Sequence, residues 1–140
     1  MSIEAAIYTI LAAATDVTDL TSTRIYDDAA DQDPTLPYIT AFKVDDVHVH
    51  HMGGASGITE ARVQVDVYAA SSVSRFNVFD AVRNALDGYV GTSSSVVISK
   101  CFLLSDRGVY IAPYEGERFG IYRSIMDFEI AYFESVPTFA

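Results

Sequence analysis

Apolar and polar residues alternate strictly in "RVQVDVYA", Arg62 to Ala69: Val63, Val65 and Val67 point one way, and Arg62, Gln64 and Asp66 the other. That period of two belongs to a strand with one face on a core. The closing segment "GIYRSIMDFEIAYFE" repeats it, with Tyr122, Met126, Phe128, Ile130 and Tyr132 on one side and Arg123, Asp127 and Glu129 on the other. It predicts a last strand from about Phe119 to Phe133. "PYITAFKV" is rich in β-formers and opens on Pro37, which is tolerated where a strand begins, so a first long strand is expected over Tyr38–Val44. Val96 to Leu104 is apolar enough for a central strand, and "SDRGVYIAPYEGER" after it reads as a long polar loop.

Two segments switch to helical spacing. Ile3, Ile7, Ile10, Leu11 and Ala14 share a face behind Ser2 as a cap, giving a helix that stops near Asp16. A second helix, capped by Ser72 or Ser74, carries Phe76, Phe79, Val82 or Arg83, Leu86 and Tyr89, with Asp87 and Gly88 offering a left-handed C-terminal cap. It is expected to dock through its aromatic side, so Phe76 and Phe79 are predicted in the core and Phe79→Ala should cost about 3–5 kcal/mol. Val17 to Leu36 shows no period and reads mostly as connection, apart from a short "RIYD" that can pair as a brief strand. "DDVHVHHMGGASG", Asp45 to Gly57, fits two antiparallel strands joined by a long Gly-rich hairpin arm. No βαβ repeat demands a parallel sheet. The expected class is therefore α+β: a mainly antiparallel sheet of four to five strands with two helices packed on one face and a long β-hairpin arm, residues 1–140 forming one domain.

Nineteen acidic against nine basic residues give a formal charge of −10. Such a surface repels phosphate backbones, which argues against direct nucleic-acid binding. Cys101, the one cysteine, lies in the apolar run "VVISKCFLL" and reads as a small buried hydrophobe, so a reducing compartment is expected. Neither a membrane span nor a signal peptide is expected: apolar runs are short, and Glu4 stands where a basic leader would be.

Catalytic chemistry finds little footing. "GGASG" has the wrong spacing for a nucleophile elbow, Cys101 is in an apolar strand where a thiolate is disfavoured, and no Gly-rich loop leads into a phosphate-binding Lys. The chain is expected not to be an enzyme and to carry no cofactor. His48 and His50, near His51, Asp45 and Asp46, are weak metal candidates, because structural zinc sites usually draw ligands from two segments; a polar hairpin tip is the simpler reading. Asp27, Asp28, Asp31 and Asp33 invite calcium, but "DDAADQDP" lacks the Gly and closing Glu of an EF-hand loop, and a solvated acidic loop is expected.

The order of segments carries a resemblance. A first amphipathic helix, "LPYITAFKV", a Gly-rich arm, "ARVQVDVYA", a helix ending "VRNALDGYVG" and the closing "RSIMDFEIAYFE" together resemble the tail terminator, or tail-completion, proteins of long-tailed phages, over about Ala5 to Glu134. Gene transfer agents, which are phage-like particles, use similar components. The resemblance implies a structural virion protein at the tail–head junction: a hexameric ring that caps the tail tube, stops its polymerisation and meets the head connector. It implies as partners further copies of the chain, the major tail tube protein and a connector or neck protein, with DNA only passing through the lumen and no membrane. Neither the His-rich arm nor the acidic loop matches a family feature. In the ring that the resemblance implies, Val47, His48, Val49, His50, His51, Met52 and Ile58 are candidates for contact with a neighbouring subunit or the tube, and Asp27, Asp28, Asp31 and Asp33 for facing the lumen. Two other readings stay open: a neck or head-completion protein on the connector side, and an unrelated soluble binding module with a pocket between helices and sheet.

Overall fold

The computed structural model describes residues 3–27, 35–51, 54–113 and 120–133. Helix α1 (Ile3–Ala13) is followed by α2 (Thr15–Thr21), the short strand β1 (Ile25–Asp27) and the long hairpin β2 (Tyr38–His51) and β3 (Gly54–Ala69). Then come α3 (Ser72–Leu86), short β4 (Gly91–Ser93), β5 (Val96–Ile111) and β6 (Ile121–Phe133). The six strands form one mixed sheet in the order β1-β2-β3-β6-β5-β4. Only β1–β2 is parallel; the other four pairings are antiparallel.

The α+β class is as expected, but the element count is not. There are three helices instead of two and six strands instead of four to five. Part of the supposed connection Val17–Leu36 is α2, which buries Val17 and Thr21, while the brief strand expected at "RIYD" is β1, which buries Ile25 and pairs with β2. Helix α2, with seven residues, is too short to show a period. The predicted loop after Leu104 is strand as far as Ile111, pairing Val109 with Arg123 and Ile111 with Ile121. Its sequence hides this because residues 104–111 are exposed or half-exposed on both faces, so no alternation marks them.

The core lies between the helices and one sheet face. Ile3, Ile7 and Leu11 of α1 meet Ile39 and Ala41 of β2, Val63, Val65 and Val67 of β3, Met126, Phe128 and Ile130 of β6, and Ile98 and Cys101 of β5. Each large side chain fully withdrawn from water here contributes about 1.5–3 kcal/mol. Helix α3 is capped by Ser71, one residue before the expected position, whose Oγ accepts from the Ser74 N–H at 3.1 Å. It ends as predicted, with Gly88 at φ +86°. Its buried side is Val78, Ala81, Val82 and Leu86, while Phe79 is half-buried and Phe76 is 61% exposed. Phe76 is two residues, or about 200°, from Val78 around the helix. Small side chains, not the aromatics, make the close approach to the sheet.

Candidate assembly surfaces

Strand register decides which backbone groups are left for a partner. The main chain of Ile39 points away from β3, since its N–H donates to the Arg24 carbonyl at 3.0 Å. Beyond Ala41, β1 ends, and among the described residues no strand pairs with the outer side of β2 from Phe42 to His51. At the other side of the sheet β4 covers β5 only at Val96–Ile98. The end of α3 then takes over: the Gly88 N–H donates to the Cys101 carbonyl at 2.6 Å, and Asp87 Oδ1 accepts from the Leu103 N–H at 3.1 Å. From Leu104 to Ile111 no further strand covers that edge among the described residues. Both stretches carry exposed apolar side chains, Val44 and Val47 on β2 and Leu104, Tyr110 and Ile111 on β5. Long, uncovered, partly apolar edges are templates for pairing with another chain.

The β2–β3 hairpin is the expected arm, and it outruns the sheet. Ile58 is opposite Phe133, the last residue of β6, and His48 is opposite Thr59, which still pairs with Tyr132, so the residues of β2 beyond His48 pair only within the hairpin. Val47 is 58% exposed. His48 Nδ1 lies 3.1 Å from Thr59 Oγ1, and its Nε2 lies 4.0 Å from Asp46. Lys43 Nζ donates to Asp46 Oδ2 at 2.8 Å, and that hydrogen bond holds the ammonium pKa above its ordinary value. Bulges between Lys43 and Asp45 and between His48 and His50 twist the arm. His50 and His51 belong to β2, opposite Ala55 and Gly54; Met52 lies outside the described residues. No three His, Cys, Asp or Glu side chains gather as a metal site among the described residues.

The sheet face away from the helices holds a polar cluster. Asp66 is 1% exposed there, although no helix covers it. Arg123 Nη2 donates to its Oδ2 at 2.6 Å and Gln64 Nε2 to its oxygens at 2.9 and 3.1 Å. The Arg123 guanidinium lies 5.2 Å from the ring centre of Tyr68, which stacks on Tyr38 at 4.6 Å, and Tyr26 meets Tyr38 edge-on at 5.9 Å. Burial raises the pKa of both Tyr38 and Tyr68. For Arg123, burial works against the charge, but the hydrogen bond and the charge of Asp66 outweigh it and the pKa is raised. The pair therefore fastens β3 to β6 through their shared register, Tyr68 opposite Arg123.

Cys101 is buried, and that burial, with Asp87 nearby, pushes its thiol up to about 12, so it is a packing residue without nucleophilic character. Asp27 sits in β1 opposite Ala41, while Asp28, Asp31 and Asp33 lie outside the described residues. One groove beside the helices, lined by Ile10, Ala13, Ala14, Ala85 and Tyr89, carries no charged group, whereas another, between α2 and α3, is lined by Asp16, Asp19 and Asp80. Two features escape the sequence reading altogether: the β5 edge, because its register with β6 is not written in residues 104–111, and the Arg123–Asp66 pair, whose partners are 57 residues apart.

Comparison with known proteins bears on these surfaces. The profile of the family described as "Tail completion protein gp17" matches residues 5–132, nearly the whole chain. The chain belongs to that family. As a tail completion protein it is a structural component of a virion, built at the tail. A chain from the solved "Virion of native gene transfer agent (GTA) particle" has the same fold, with a TM-score of 0.74 at 20% identity, covering 95% of this chain and 96% of that one. No curated protein matches.

Proposed function

We propose that this tail completion protein forms a ring on the last disc of the tail tube, ends tube polymerisation and joins the tail to the head. The observation that carries this reading is the family match over residues 5–132, joined to a fold with two unlike open edges. A ring is a closed head-to-tail assembly, and each subunit needs two different, complementary surfaces. Its partners in this reading are the five further copies that complete a hexameric ring, the major tail tube protein and a connector or neck protein. The arm, with Val47, His48, Val49, His50, His51, Met52 and Ile58, contacts the adjacent subunit or the tube. Asp27, Asp28, Asp31 and Asp33 face the lumen, where negative charge keeps passing DNA from adhering. No step of this role requires catalysis.

Electron microscopy of particles from a producing strain lacking this gene tests the role. Tails of irregular or excessive length, unattached to filled heads, are expected. Filled or leaking heads beside tails of normal length would place the chain on the connector side instead, and wholly normal particles would refute both placements.

A further inference from the structure

We infer that copies of this chain join edge to edge, the open stretch of β2 in one copy pairing antiparallel with the open stretch of β5 in the next, so that Asp46 stands opposite Gly108. This rests on the proposed ring and names the surfaces that would close it.

Backbone parity comes first. The outward-pointing residues seen on β2 and β5 are Ile39, Cys101 and Leu103, and Ile39 and Cys101 are buried against the helices. Following the ladders past the bulges, Lys43 and Asp46 on β2 and Asp106, Gly108 and Tyr110 on β5 point outward in the same way, through their opposition to Val63, Ala61, Met126, Ser124 and Tyr122. Both edges thus turn the main chain outward at residues whose side chains lie on the helix face. Directly opposed residues of an antiparallel pair share a face. Two copies joined here therefore keep their helices on the same side of one continuous sheet, as a closed ring requires. Strand direction also agrees: β2, β3, β6 and β5 alternate, so β5 of the next copy runs antiparallel to β2.

Charge then selects the register. Outward residues pair with outward residues, so Asp46 can stand opposite Asp106, Gly108 or Tyr110. The first sets two carboxylates face to face, which is unfavourable. The last carries Lys43 past the end of β5 at Ile111. With Gly108 opposite Asp46, Lys43 meets Tyr110, Val47 meets Arg107, and Arg107 comes diagonally beside Asp45. Neither Arg107 nor Asp45 has an ion-pair partner among the described residues.

The stagger this register imposes is that of a closed barrel. Within one copy Asp46 is level with Cys101, through Ala61 and Ile130. Moving from Cys101 to Gly108 is seven residues, one of them the bulged Leu104, so neighbouring copies are offset by six pleated steps. That is about 20 Å along the strands for roughly 19 Å across four of them. Strands inclined by about 45° result, at the upper end of the tilt that lets sheets close on themselves.

Cysteine cross-linking tests the register. Val47 and Arg107 form a non-hydrogen-bonded pair between copies, where Cα atoms approach to about 4.5 Å and a disulfide is geometrically allowed. Within one copy Val47 is level with Lys100, and three strands lie between β2 and the far side of β5, so the two cannot bridge internally. Oxidised V47C/R107C is expected to give a ladder of covalent oligomers on a non-reducing gel, with V47C/I111C and each single variant giving none; buried Cys101 stays silent. The wild type should run as an oligomer in light scattering. Oligomers without the V47C/R107C ladder, an equal ladder from V47C/I111C, or a wild type that stays monomeric would each overturn the pairing. The deletion phenotype, read separately, decides whether the chain caps tails at all.

Discussion

Removing the Arg123 guanidinium isolates a charge that the fold has withdrawn from water. Asp66 is 1% exposed, and its three short contacts are one from Arg123 at 2.6 Å and two from the single amide of Gln64 at 2.9 and 3.1 Å. In Arg123→Met the aliphatic stem still covers Tyr68, but the carboxylate keeps only a neutral donor. Breaking a buried pair by removing one partner costs about 3–5 kcal/mol. Because 27% of the Arg123 side chain is exposed and Gln64 remains, the expected loss is smaller than that range, about 2–3 kcal/mol. For a chain of this length it lowers Tm by about 6–12 °C. Urea denaturation of Arg123→Met, Asp66→Leu and the double variant closes a cycle. The double variant, which buries no charge, should be more stable than Arg123→Met. A loss below about 1 kcal/mol in Arg123→Met, or a double variant no better than it, would refute the reading of Asp66 as a charge held by Arg123.

Four further outcomes are expected. Phe128→Ala, at a site with 0% exposure in the middle of the core, should lose about 3–5 kcal/mol in the same assay, whereas Phe76→Ser on the outer side of α3 should stay within about 0.5 kcal/mol. The Cys101 thiol, whose pKa is pushed up from 9.0 to about 12 by burial, should resist maleimide at pH 8 until the protein is unfolded. Since its folded pKa is above the unfolded one, the unfolded chain loses the proton first as pH rises from 9 to 12; stability should fall there by up to about 1.4 kcal/mol per unit, and less steeply in Cys101→Ala. Gly120→Ala places a Cβ 2.5 Å from the Ile111 carbonyl oxygen and from Tyr110 Oη, so the β5–β6 end must open, and hydrogen exchange at Ile111 and Ile121 should accelerate.

Where the chain buries one face and wets the other, the sequence announces it. Val63, Val65 and Val67 and the β6 residues Met126, Phe128 and Ile130 were legible because alternation follows from one-sided burial. The same reasoning misplaced Phe76: aromatic size suggested the core, but the geometry of α3 lets Val78, Ala81 and Val82 come closest to the sheet. Residues 104–111 were invisible for the opposite reason, since a strand exposed on both faces has no period to read. The histidines drew attention as possible ligands, and the structure seats His48 beside Thr59 and Asp46 on the arm. The β5 edge depends on which strand lies beside which, and that order, with β6 inserted between β3 and β5, is a property of the whole chain.

The bulges on the two outer long strands sit on either side of one row of the sheet. Lys43, Val63, Phe128 and Leu103 lie level across it; β2 gains its extra residue just after Lys43, and β5 just after Leu103. Each bulge bends its strand, so the row acts as a crease across the sheet, with Val65 and Met126 in the core on one side of it and Ala61, Ile130 and Cys101 in the core on the other, the side from which the hairpin runs out into the arm. A force on the hairpin tip is delivered to that line, and Phe128 is the side chain wedged beneath it. The angle at which the arm leaves the body is therefore set by core packing, and a substitution at the centre of the protein re-aims a tip many residues away.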